Sequence, residues 1–587
     1  MMKSHACGVL GSSDVASEVR LAGWVHAHRD HGGVLFIDLR DSSGIVQVVF
    51  EGVADAHRLR DEWCVAVRGA VRARPEGTVN PTLPTGEVEV VAAELEVLSE
   101  SAPVPFAIED DVKADESTRL RYRYLDLRRQ PMLEALRLRA KVTGIMHDYM
   151  REQDFLEVET PLLATPTPEG AREFLVPSRI QRGKFFSLAQ SPQLFKQILM
   201  VAGVERYYQV ARCLRDEDPR ADRAIGEHTQ LDIEMSFADR DDVLGLCEGL
   251  IARVWRECID TDIDVPFPRL GFDEAIARYG TDKPDVREAA GPAIIDLTEL
   301  FAGTEFRAFA GAGAVRGLRV PGAGADASRA FLDGLIDRAK ELGAPGIVWM
   351  VVEPDELRAP VAKFLSADEL DGVRKNLDAA PGDLLLLAAD EPRAASELLG
   401  AFRTELARSL GRVHSASDPA EWRFLWIVDF PLFEWDEERG GWDSSHNPFT
   451  APTASSVPLL DTDPGSCLSQ QYDFVINGVE GFSGSVRIHR SDVQEKVFGV
   501  MGLTPEQVRA RFGWFVEALR YGAPPHAGFG MGVDRIAMLL FGTQNLREVT
   551  AFPKTQTGSD LMTGAPTGAE PALLRELGIR VVGEKGP

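Results

Sequence analysis

The stretch that decides the fold is YYQVARCLRDEDPRADRAIGEHTQLDIEM, residues 207–235. Its two apolar ends are typical of strands, and the charged segment between them predicts a hairpin loop. So many arginines in one loop are costly unless they meet anions, and Arg215 is suited to hold a phosphate with two parallel hydrogen bonds. Glu217 is placed to accept a base amino group, and His228 is a planar side chain that could stack on a purine. A solvated loop of Arg–Asp pairs explains the same spacing equally well.

A second informative stretch, HAGFGMGVDRIAMLLFG, lies near the C-terminal end of the chain. Gly528, Gly530 and Gly532 permit a ligand to approach the backbone closely. Arg535 then opens an amphipathic helix, where it could clamp a terminal phosphate. The glycine spacing matches neither the Rossmann nor the P-loop pattern, which excludes two common nucleotide folds but not nucleotide binding.

Three further segments carry charged or polar residues at spacings that suit a small anionic ligand. Gln193 and Lys196 stand three residues apart at the start of a predicted helix, so they face one side and suit a carboxylate. Asp473 and Glu480 flank a predicted strand and could hold Mg²⁺ with triphosphate oxygens. Arg487, on the strand after them, could pair with a carboxylate. From its own segment alone, the Gln193 helix is more simply a surface helix.

Two other candidates have weaker local support. A helix and a strand lead to Pro161, and the Thr/Pro/Gly-rich loop that follows contains Glu169. His446, in the segment SHNPFT, has no recognisable partner nearby in the sequence, and an isolated histidine is more often structural.

The N-terminal region predicts a small β-barrel. Residues 19–50 alternate apolar and polar side chains, with turns marked by glycine, and about five strands fit into about 100 residues, which favours an OB-fold. Such barrels stack bases on exposed aromatic rings beside basic groups, a role open to Phe36 and Arg29. Phe36 could instead be a core residue, but its parity is opposite to that of Leu35 and Ile37, which favours exposure.

The rest of the chain divides by composition. A linker rich in proline and acidic residues precedes an arginine-rich helix. Its spacing places one apolar face on Leu133, Leu136, Ala140, Val142 or Thr143, and Met146. An Ala/Gly/Leu-rich stretch interrupts the motif-bearing regions and is interpreted as an inserted α+β domain. The predicted bounds are 1–105 for the OB-fold domain, 106–120 for the hinge, 121–287 and 419–560 for the two catalytic parts, 288–418 for the insertion, and 561–587 for a C-terminal extension.

Composition sets the outer limits. With 587 residues, 44% hydrophobic and 26% charged, the chain fits two to four globular domains and not a disordered or collagenous protein. The net charge of −27 argues against a protein whose whole surface carries charge that binds nucleic acid. Residues 117–223 are nevertheless locally basic, with 19 Lys and Arg against 14 Asp and Glu. The six cysteines form no C-x-x-C pair, and no signal peptide or membrane-length apolar run is visible. We therefore expect a cytosolic enzyme with reduced thiols.

In combination these segments resemble the three signature motifs of class II aminoacyl-tRNA synthetases: the segment ending at Pro161, the Arg215-Asp216-Glu217 loop, and Gly530-Met531-Gly532-Val533-Asp534-Arg535. The segments TPEGA at 167–171, QSPQLFKQ at 190–197, RYRYLDLRR at 121–129, FIDLRD at 36–41 and PPHAG at 524–528 narrow the resemblance to bacterial-type aspartyl-tRNA synthetases. It extends over nearly the whole chain. It implies a multidomain α+β fold with an N-terminal OB-fold barrel, an antiparallel catalytic sheet and an inserted GAD-type α+β domain.

The resemblance also implies an activity and a set of site residues. ATP and aspartate would form aspartyl-adenylate with Mg²⁺ as cofactor, and a cytoplasmic homodimer would transfer the aspartyl group to tRNA. The implied catalytic residues are Arg215, Glu217 and Arg535. The implied aspartate-binding residues are Glu169, Gln193, Lys196, Arg215, Asp232, His446 and Arg487. The implied ATP-binding residues are Arg215, Asp216, Glu217, His228, Glu480, Gly532, Val533, Asp534 and Arg535. The implied metal ligands are Asp473 and Glu480. The implied anticodon-binding residues are Arg29, His31, Phe36, Gln47, Gly77 and Glu89.

The sequence departs from the family pattern in three places. The motif-two loop reads Arg223-Ala224-Ile225-Gly226-Glu227-His228-Thr229-Gln230 where bacterial members read R-Q-P-E-F-T-Q, so His228 replaces a stacking phenylalanine. The usual E-x-G-G-G-S is Glu480-Gly481-Phe482-Ser483-Gly484-Ser485, and Asn447 stands where a second histidine usually follows His446. None of these changes removes a charge that adenylation needs.

The resemblance leaves the choice of tRNA open. His31 and Gly77 resemble the non-discriminating subgroup, which also aspartylates tRNA(Asn) for later amidation by an amidotransferase; strictly tRNA(Asp)-specific members carry Leu and Lys there. The alternatives are the strictly specific enzyme, a non-catalytic tRNA-binding paralogue, and a related enzyme that makes asparagine or activates another amino acid.

Overall fold

The computed structural model describes residues 2–166, 172–217, 226–418 and 421–582. The chain forms two compact units, which are described separately. The first comprises Met1–Leu138 and Arg547–Gly568, and the second comprises Arg139–Leu546 and Ala569–Pro587. Within the described ranges, no helix is long and apolar enough to cross a membrane.

Five strands of the first unit close into a barrel in the order β1-β2-β3-β5-β4. They are β1 (Glu18–His31), β2 (Val34–Asp41), β3 (Gly44–Glu51), β4 (Cys64–Ala73) and β5 (Val88–Ser99). Along β2, Leu35 and Ile37 are buried in the barrel core while Phe36, of opposite parity, is only half-buried. The predicted five-stranded barrel is therefore confirmed.

Three helices follow the barrel. They are α1 (Glu116–Arg121), α2 (Arg123–Asp126) and α3 (Gln130–Glu152). The apolar face predicted for α3 is confirmed at Val142 and Met146, which are buried. It was wrong in the first turns, where Met132 and Ala135 are buried while Leu133 and Leu136 are half-buried. Both pairs are apolar, so the helical period alone could not decide which pair packs inward.

The next part of the chain opens the second unit. Its elements are β6 (Leu156–Glu157), β7 (Leu163–Ala164), β8 (Leu175–Pro177), β9 (Phe185–Leu188), α4 (Gln193–Val201), β10 (Arg206–Leu214), β11 (Glu227–Ser236), α5 (Arg240–Ile259), β12 (Arg269–Gly271) and α6 (Phe272–Tyr279). The strands β10 and β11 form an antiparallel pair from Arg206 with Met235 to Leu214 with Glu227. The hairpin predicted from residues 207–235 is confirmed.

The Ala/Gly/Leu-rich stretch has a sheet of its own, in the order β13-β14-β17-β15-β16. Its elements are β13 (Ile295–Asp296), β14 (Ala314–Val320), α7 (Arg329–Glu341), β15 (Val348–Val352), β16 (Leu357–Arg358), α8 (Ala367–Asn376), β17 (Leu384–Asp390) and α9 (Pro392–Ser409). The run of four leucines on β17 is fully buried, because alternate leucines enter two separate core clusters.

The remaining elements include the other strands of the large sheet of the second unit, whose order is β12-β18-β21-β22-β23-β11-β10-β6, and a separate two-stranded sheet of β19 and β20. These elements are β18 (Phe424–Val428), β19 (Phe433–Asp436), β20 (Gly441–Ser444), β21 (Gln471–Ile476), β22 (Val479–Val486), α10 (Ser491–Val500), α11 (Pro505–Leu519), β23 (His526–Gly532), α12 (Val533–Phe541) and α13 (Pro571–Leu577). All pairings between β18 and β10 along this order are antiparallel. Segments far apart in sequence thereby become neighbours on the central strands.

Candidate active site and nucleic-acid face

Four buried charges form the centre of the large sheet. The Lys196 ammonium lies 3.0 Å from an Asp232 carboxylate oxygen and 3.4 Å from Glu234 Oε2. Arg487 donates from Nε to Glu234 Oε1 at 2.9 Å and from Nη2 to Glu234 Oε2 at 3.3 Å. Glu234 therefore joins the two predicted carboxylate-binding cations, although the sequence analysis did not select it.

The glycine-rich strand makes room for this cluster. Gly528 on β23 is the register partner of Glu234 on β11. A Cβ atom at position 528 would lie 2.1 Å from the Ile233 carbonyl oxygen and 2.3 Å from Glu234 Oε2. The group that lies close to the Gly528 backbone is thus the Glu234 carboxylate of the protein itself.

Burial and pairing set the charge states in the cluster. Burial raises the pKa of Asp232 above its ordinary value, although Lys196 opposes the shift. Burial also opposes ionisation of Glu234, but Arg487 and Lys196 outweigh it and hold the pKa of Glu234 below its ordinary value. Glu234 in turn raises the pKa of Arg487 against the effect of burial. Arg487 and Glu234 thus favour each other's charged form inside the protein.

Three buried polar atoms of the predicted site residues have no hydrogen-bond partner among the residues that the structure describes. They are Asp232 Oδ2, Gln193 Nε2 and Arg215 Nε. Gln193 and Lys196 occupy the first turn and a half of α4, as predicted, with Lys196 fully buried. Asp232 Oδ2 is a hydrogen-bond acceptor, and Gln193 Nε2 and Arg215 Nε are donors. Together they match the ammonium and carboxylate groups of an amino acid.

The phosphate-binding candidates meet at the ends of β10, β11 and β23. Arg215 follows β10 and donates its backbone N–H to the Gly226 carbonyl at 2.8 Å. Burial, followed by the positive charges of Arg215 and Arg535, lowers the pKa of His228 to about 4, so His228 is neutral at physiological pH. Arg535 donates from Nη1 to the Glu480 carbonyl oxygen at 2.6 Å. The structure therefore brings these predicted ATP-binding residues together.

Other predicted ATP-binding residues have different settings. Asp534 is buried and accepts from Arg139 Nε at 2.7 Å and from the Thr229 backbone N–H at 3.0 Å, so it ties α12 to β11. Val533 is fully buried at the start of α12, next to Gly532. Asp216 and Glu217 are exposed after the end of β10, so their contacts with ATP stay predictions.

Two carboxylates form the candidate metal site. Asp473 and Glu480 lie within the facing strands β21 and β22 rather than flanking one strand, because a turn at Asn477 and Gly478, both with positive φ, divides the segment into a hairpin. Asp473 is buried and accepts from Gln471 Nε2 at 2.8 Å, while Glu480 contacts the Lys283 ammonium at 3.1 Å. No cluster of three or more metal-ligating side chains occurs in the described part of the chain. Two carboxylates nevertheless fit Mg²⁺, which binds through few protein oxygens plus substrate phosphates.

His446 lies beside this carboxylate pair. Its Nε2 atom is 3.9 Å from Asp473 Oδ2, and its ring packs edge-on against Phe430 with centroids 4.8 Å apart. Burial opposes protonation of His446, but Asp473 outweighs it and raises the pKa of the imidazole. The isolated histidine of the sequence therefore belongs to the polar site.

The barrel of the first unit carries a separate polar face. Arg29 pairs with Asp38 at 2.9 Å, and Gln47 donates to Glu89 at 2.7 Å. Arg29 is the register partner of Phe36, and the His31 ring packs edge-on against Phe36 with centroids 5.9 Å apart. These contacts and register pairs link Arg29, Phe36 and His31 in one set and Gln47 and Glu89 in another. The two sets contain five of the six predicted anticodon residues.

Two residues of this face need separate comment. The Glu89 side chain is only 3% exposed, and it also accepts from Arg72 Nε at 2.7 Å, so it holds Gln47 and Arg72 in place. Gly77 is in the exposed loop after β4 with φ +81°, a left-handed conformation that side chains rarely adopt. The base contacts of all six residues stay predictions. Glu169 and positions 223–225 of the altered motif-two loop lie outside the described residues.

Comparison with known proteins places these two units in one family. The model described as tRNA synthetases class II (D, K and N) matches residues 115–556, and that described as OB-fold nucleic acid binding domain matches residues 19–98. The chain belongs to the class II tRNA synthetases of the D, K and N family.

Relatives and a solved structure agree with this assignment. Two similar proteins are both named Aspartate--tRNA(Asp/Asn) ligase. The one from Moorella thermoacetica is 50% identical, over 99% of this chain and 97% of its own length, and the one from Salinispora arenicola is 52% identical, over 99% and 96%. The asparaginyl-tRNA synthetase of Pyrococcus horikoshii, solved with asparaginyl-adenylate, has a TM-score of 0.60 at 20% identity, covering 94% of this chain and 99% of that one. The last likeness concerns the fold alone.

Proposed function

We propose that this protein activates L-aspartate with ATP and transfers the aspartyl group to tRNA(Asp) and tRNA(Asn). The single observation that carries the proposal is the charge arrangement at the centre of the large sheet. Lys196, Arg487 and Glu234 together carry one net positive charge, and Asp232 carries one negative charge beside them. These charges complement the side-chain carboxylate and the ammonium group of aspartate.

The same arrangement supports selectivity for aspartate. Asparagine has a neutral amide in place of the carboxylate, so it would forgo the charge-assisted hydrogen bonds that Lys196 and Arg487 would donate to aspartate. Sites built to hydrogen-bond one substrate group reject an analogue that lacks it by about 10⁴- to 10⁵-fold. Asp232 Oδ2 and Gln193 Nε2, which lack partners in the described residues, would bind the groups on the α-carbon.

The proposed first step is an in-line displacement at phosphorus. An oxygen of the aspartate α-carboxylate attacks the α-phosphorus of ATP, the bond to the β-phosphate oxygen breaks, and pyrophosphate leaves. Arg215 would neutralise the α-phosphate, and Arg535 would hold the γ-phosphate. This chain therefore contributes positioning and charge stabilisation and forms no covalent bond with the substrate.

Asp473 and Glu480 would hold Mg²⁺. The bound ion would neutralise charge on the triphosphate and orient its oxygens. His228, neutral because of its low pKa, would stack on the adenine, and Glu217 would accept its amino group.

In the second step a hydroxyl of the terminal adenosine of tRNA attacks the aspartyl carbonyl carbon, and AMP leaves. The barrel face around Phe36 and Arg29 would bind the anticodon, with His31 and Gly77 tolerating the third base of either tRNA. We assign anticodon binding to residues 1–105 and catalysis to residues 121–287 and 419–560, joined by the hinge at 106–120. Residues 288–418 would form the insertion, and residues 561–587 the C-terminal extension.

The proposal has three consequences outside the chain. The enzyme would work as a homodimer through the segment that ends at Pro161. It would act in the cytoplasm, where its substrates ATP and tRNA are found. Aspartyl-tRNA(Asn) would be a substrate for a tRNA-dependent amidotransferase.

Charging of purified tRNA(Asp) and tRNA(Asn) transcripts with radiolabelled aspartate, side by side, tests the proposal. Charging of both tRNAs is expected. Charging of tRNA(Asp) alone would contradict the dual specificity and leave aspartate activation in place. If neither transcript nor native modified tRNA were charged, the enzymatic proposal would fail in favour of a tRNA-binding paralogue.

A further inference from the structure

A lysine outside the sequence motifs contacts the candidate metal site. The Lys283 ammonium lies 3.1 Å from Glu480 Oε2 and 3.4 Å from Asp282 Oδ2. Both side chains of the Lys283–Glu480 pair are about three-quarters shielded from solvent, with 29% and 26% exposed. The contact therefore joins a cation of the chain to a carboxylate that we propose as a Mg²⁺ ligand.

The loop that carries Lys283 is held on both sides. Downstream, Arg287 donates from Nη2 to Asp285 at 2.6 Å and from Nη1 to the Ser415 carbonyl oxygen at 3.0 Å. A Cβ atom at Gly478, in the turn between β21 and β22, would lie 2.9 Å from the Asp285 Cβ atom. The loop is thus packed against the hairpin that carries Asp473 and Glu480.

The inserted region fixes the upstream side of the same loop. A Cβ atom at Gly280 would lie 2.1 Å from the Ser396 carbonyl oxygen of α9. Arg403 of α9 lies over the Tyr279 ring, 5.1 Å from its centroid, and donates to the Pro292 and Gly291 carbonyl oxygens. The backbone on both sides of Lys283 is therefore anchored next to the hairpin that carries Glu480.

We propose that Lys283 is a built-in counter-cation of the metal site. Its positive charge opposes the binding of a free divalent ion to Glu480. This inference rests on the proposed function, because it assumes that Asp473 and Glu480 hold Mg²⁺. Lys283 is a positioning residue: it orients Glu480 before a metal ion binds and lowers the affinity of that site for a metal ion alone. The phosphates of ATP supply the additional negative charge that overcomes this repulsion, so the metal enters together with the nucleotide.

Binding of Mn²⁺ to the full-length protein without ATP and aspartate tests this inference. Mn²⁺ prefers the same carboxylate ligands as Mg²⁺, and free Mn²⁺ is measured by electron paramagnetic resonance. Lys283→Met is expected to bind Mn²⁺ about three- to tenfold more tightly than the natural protein, as befits a partly shielded ion pair. Lys283→Arg, which keeps the positive charge, should retain the natural affinity.

Two controls separate a local effect from a change in net charge. Lys496→Met removes the same charge from an exposed lysine that pairs with Asp461, so it should leave Mn²⁺ affinity unchanged. Adding Glu480→Gln to Lys283→Met should remove the gain in affinity. A melting curve checks folding, and Lys283→Gln serves if Lys283→Met does not fold.

Unchanged or weaker Mn²⁺ binding by a folded Lys283→Met variant would overturn the inference. A gain of the same size in Lys496→Met would also overturn it, because net charge alone would then explain the effect. Charging of tRNA by the natural protein is measured separately. Its failure would refute the proposed function, whereas unchanged Mn²⁺ binding beside normal charging would refute only the role of Lys283.

Discussion

The molecule contains two polar networks that differ in their exposure to water. In the large sheet, the side chains of Lys196, Asp232, Glu234 and Arg487 are at most 3% exposed. On the barrel, Arg29 is 52% exposed where it pairs with Asp38. Removing one partner of a buried pair typically costs about 3–5 kcal/mol, whereas an exposed pair contributes about 0–1 kcal/mol. The sheet network is therefore suited to a fixed choice of amino acid, and the barrel network to a choice of tRNA that small changes can adjust.

The largest effect is expected from Arg487→Leu. It removes one of the two proposed carboxylate-binding cations and leaves Glu234 buried beside Lys196 alone. Aspartate-dependent ATP–pyrophosphate exchange should therefore fall at least about 1,000-fold, with a loss of about 3–5 kcal/mol in stability. ATP binding should remain measurable. The double variant Arg487→Leu/Glu234→Leu should recover most of the stability without recovering exchange. Normal exchange in the single variant would refute the carboxylate-binding role.

Arg215→Ala should lower the exchange rate about 100- to 1,000-fold, because it removes a charged donor from the phosphorus being attacked. The matched control is Arg212→Ala, within β10 and three residues before Arg215, where the side chain is exposed and paired with Glu227. That control should stay within about twofold of the natural rate. Full activity in Arg215→Ala would mean that another residue binds the α-phosphate.

Gly528→Ala tests the packing that makes room for Glu234. The new methyl group would collide with the Ile233 carbonyl and the Glu234 carboxylate, so we expect a loss of about 1–3 kcal/mol in stability and a raised KM for aspartate. Gly245→Ala, within α5 and with open space around its Cα atom, should be neutral or stabilising. Equal behaviour of the two variants would show that Gly528 is not needed for the cluster.

His228→Phe should change how stability depends on pH. Between its ordinary pKa of 6.5 and its native pKa of about 4, His228 is protonated in the unfolded chain but not in the folded one. Its contribution to stability is therefore present above pH 6.5 and is lost as the pH falls towards 4. The melting temperature of the variant should accordingly fall less than that of the natural protein between pH 7.5 and pH 5. Parallel melting profiles would contradict the low pKa.

The smallest effects are expected on the barrel. His31→Leu and Gly77→Lys, alone and together, should lower charging of tRNA(Asn) relative to tRNA(Asp) by about three- to tenfold, with aspartate activation unchanged. Because Gly77 has φ +81°, Gly77→Ala is the control for backbone strain. An equal loss of both charging reactions in all variants would show that these positions do not discriminate between the tRNAs.

The sequence predicted local structure better than long-range pairing. The β10–β11 hairpin and the five barrel strands follow from alternation and turn residues, which depend on neighbours in the sequence. Glu234 was missed although its signal was present, since Asp232 and Glu234 alternate with apolar residues on a strand that is otherwise buried. The Glu234–Arg487 and Glu480–Lys283 pairs could not be predicted, because their partners are brought together only by the order of strands and the packing of the inserted region.

The most direct measurement is ATP–pyrophosphate exchange by the natural protein with aspartate and with asparagine as alternative substrates. The charge arrangement of Lys196, Arg487 and Glu234 predicts rapid exchange with aspartate and a value of kcat/KM about 10⁴-fold lower with asparagine. Equal exchange with the two amino acids, or none with aspartate, would contradict the assignment of this buried cluster to aspartate recognition.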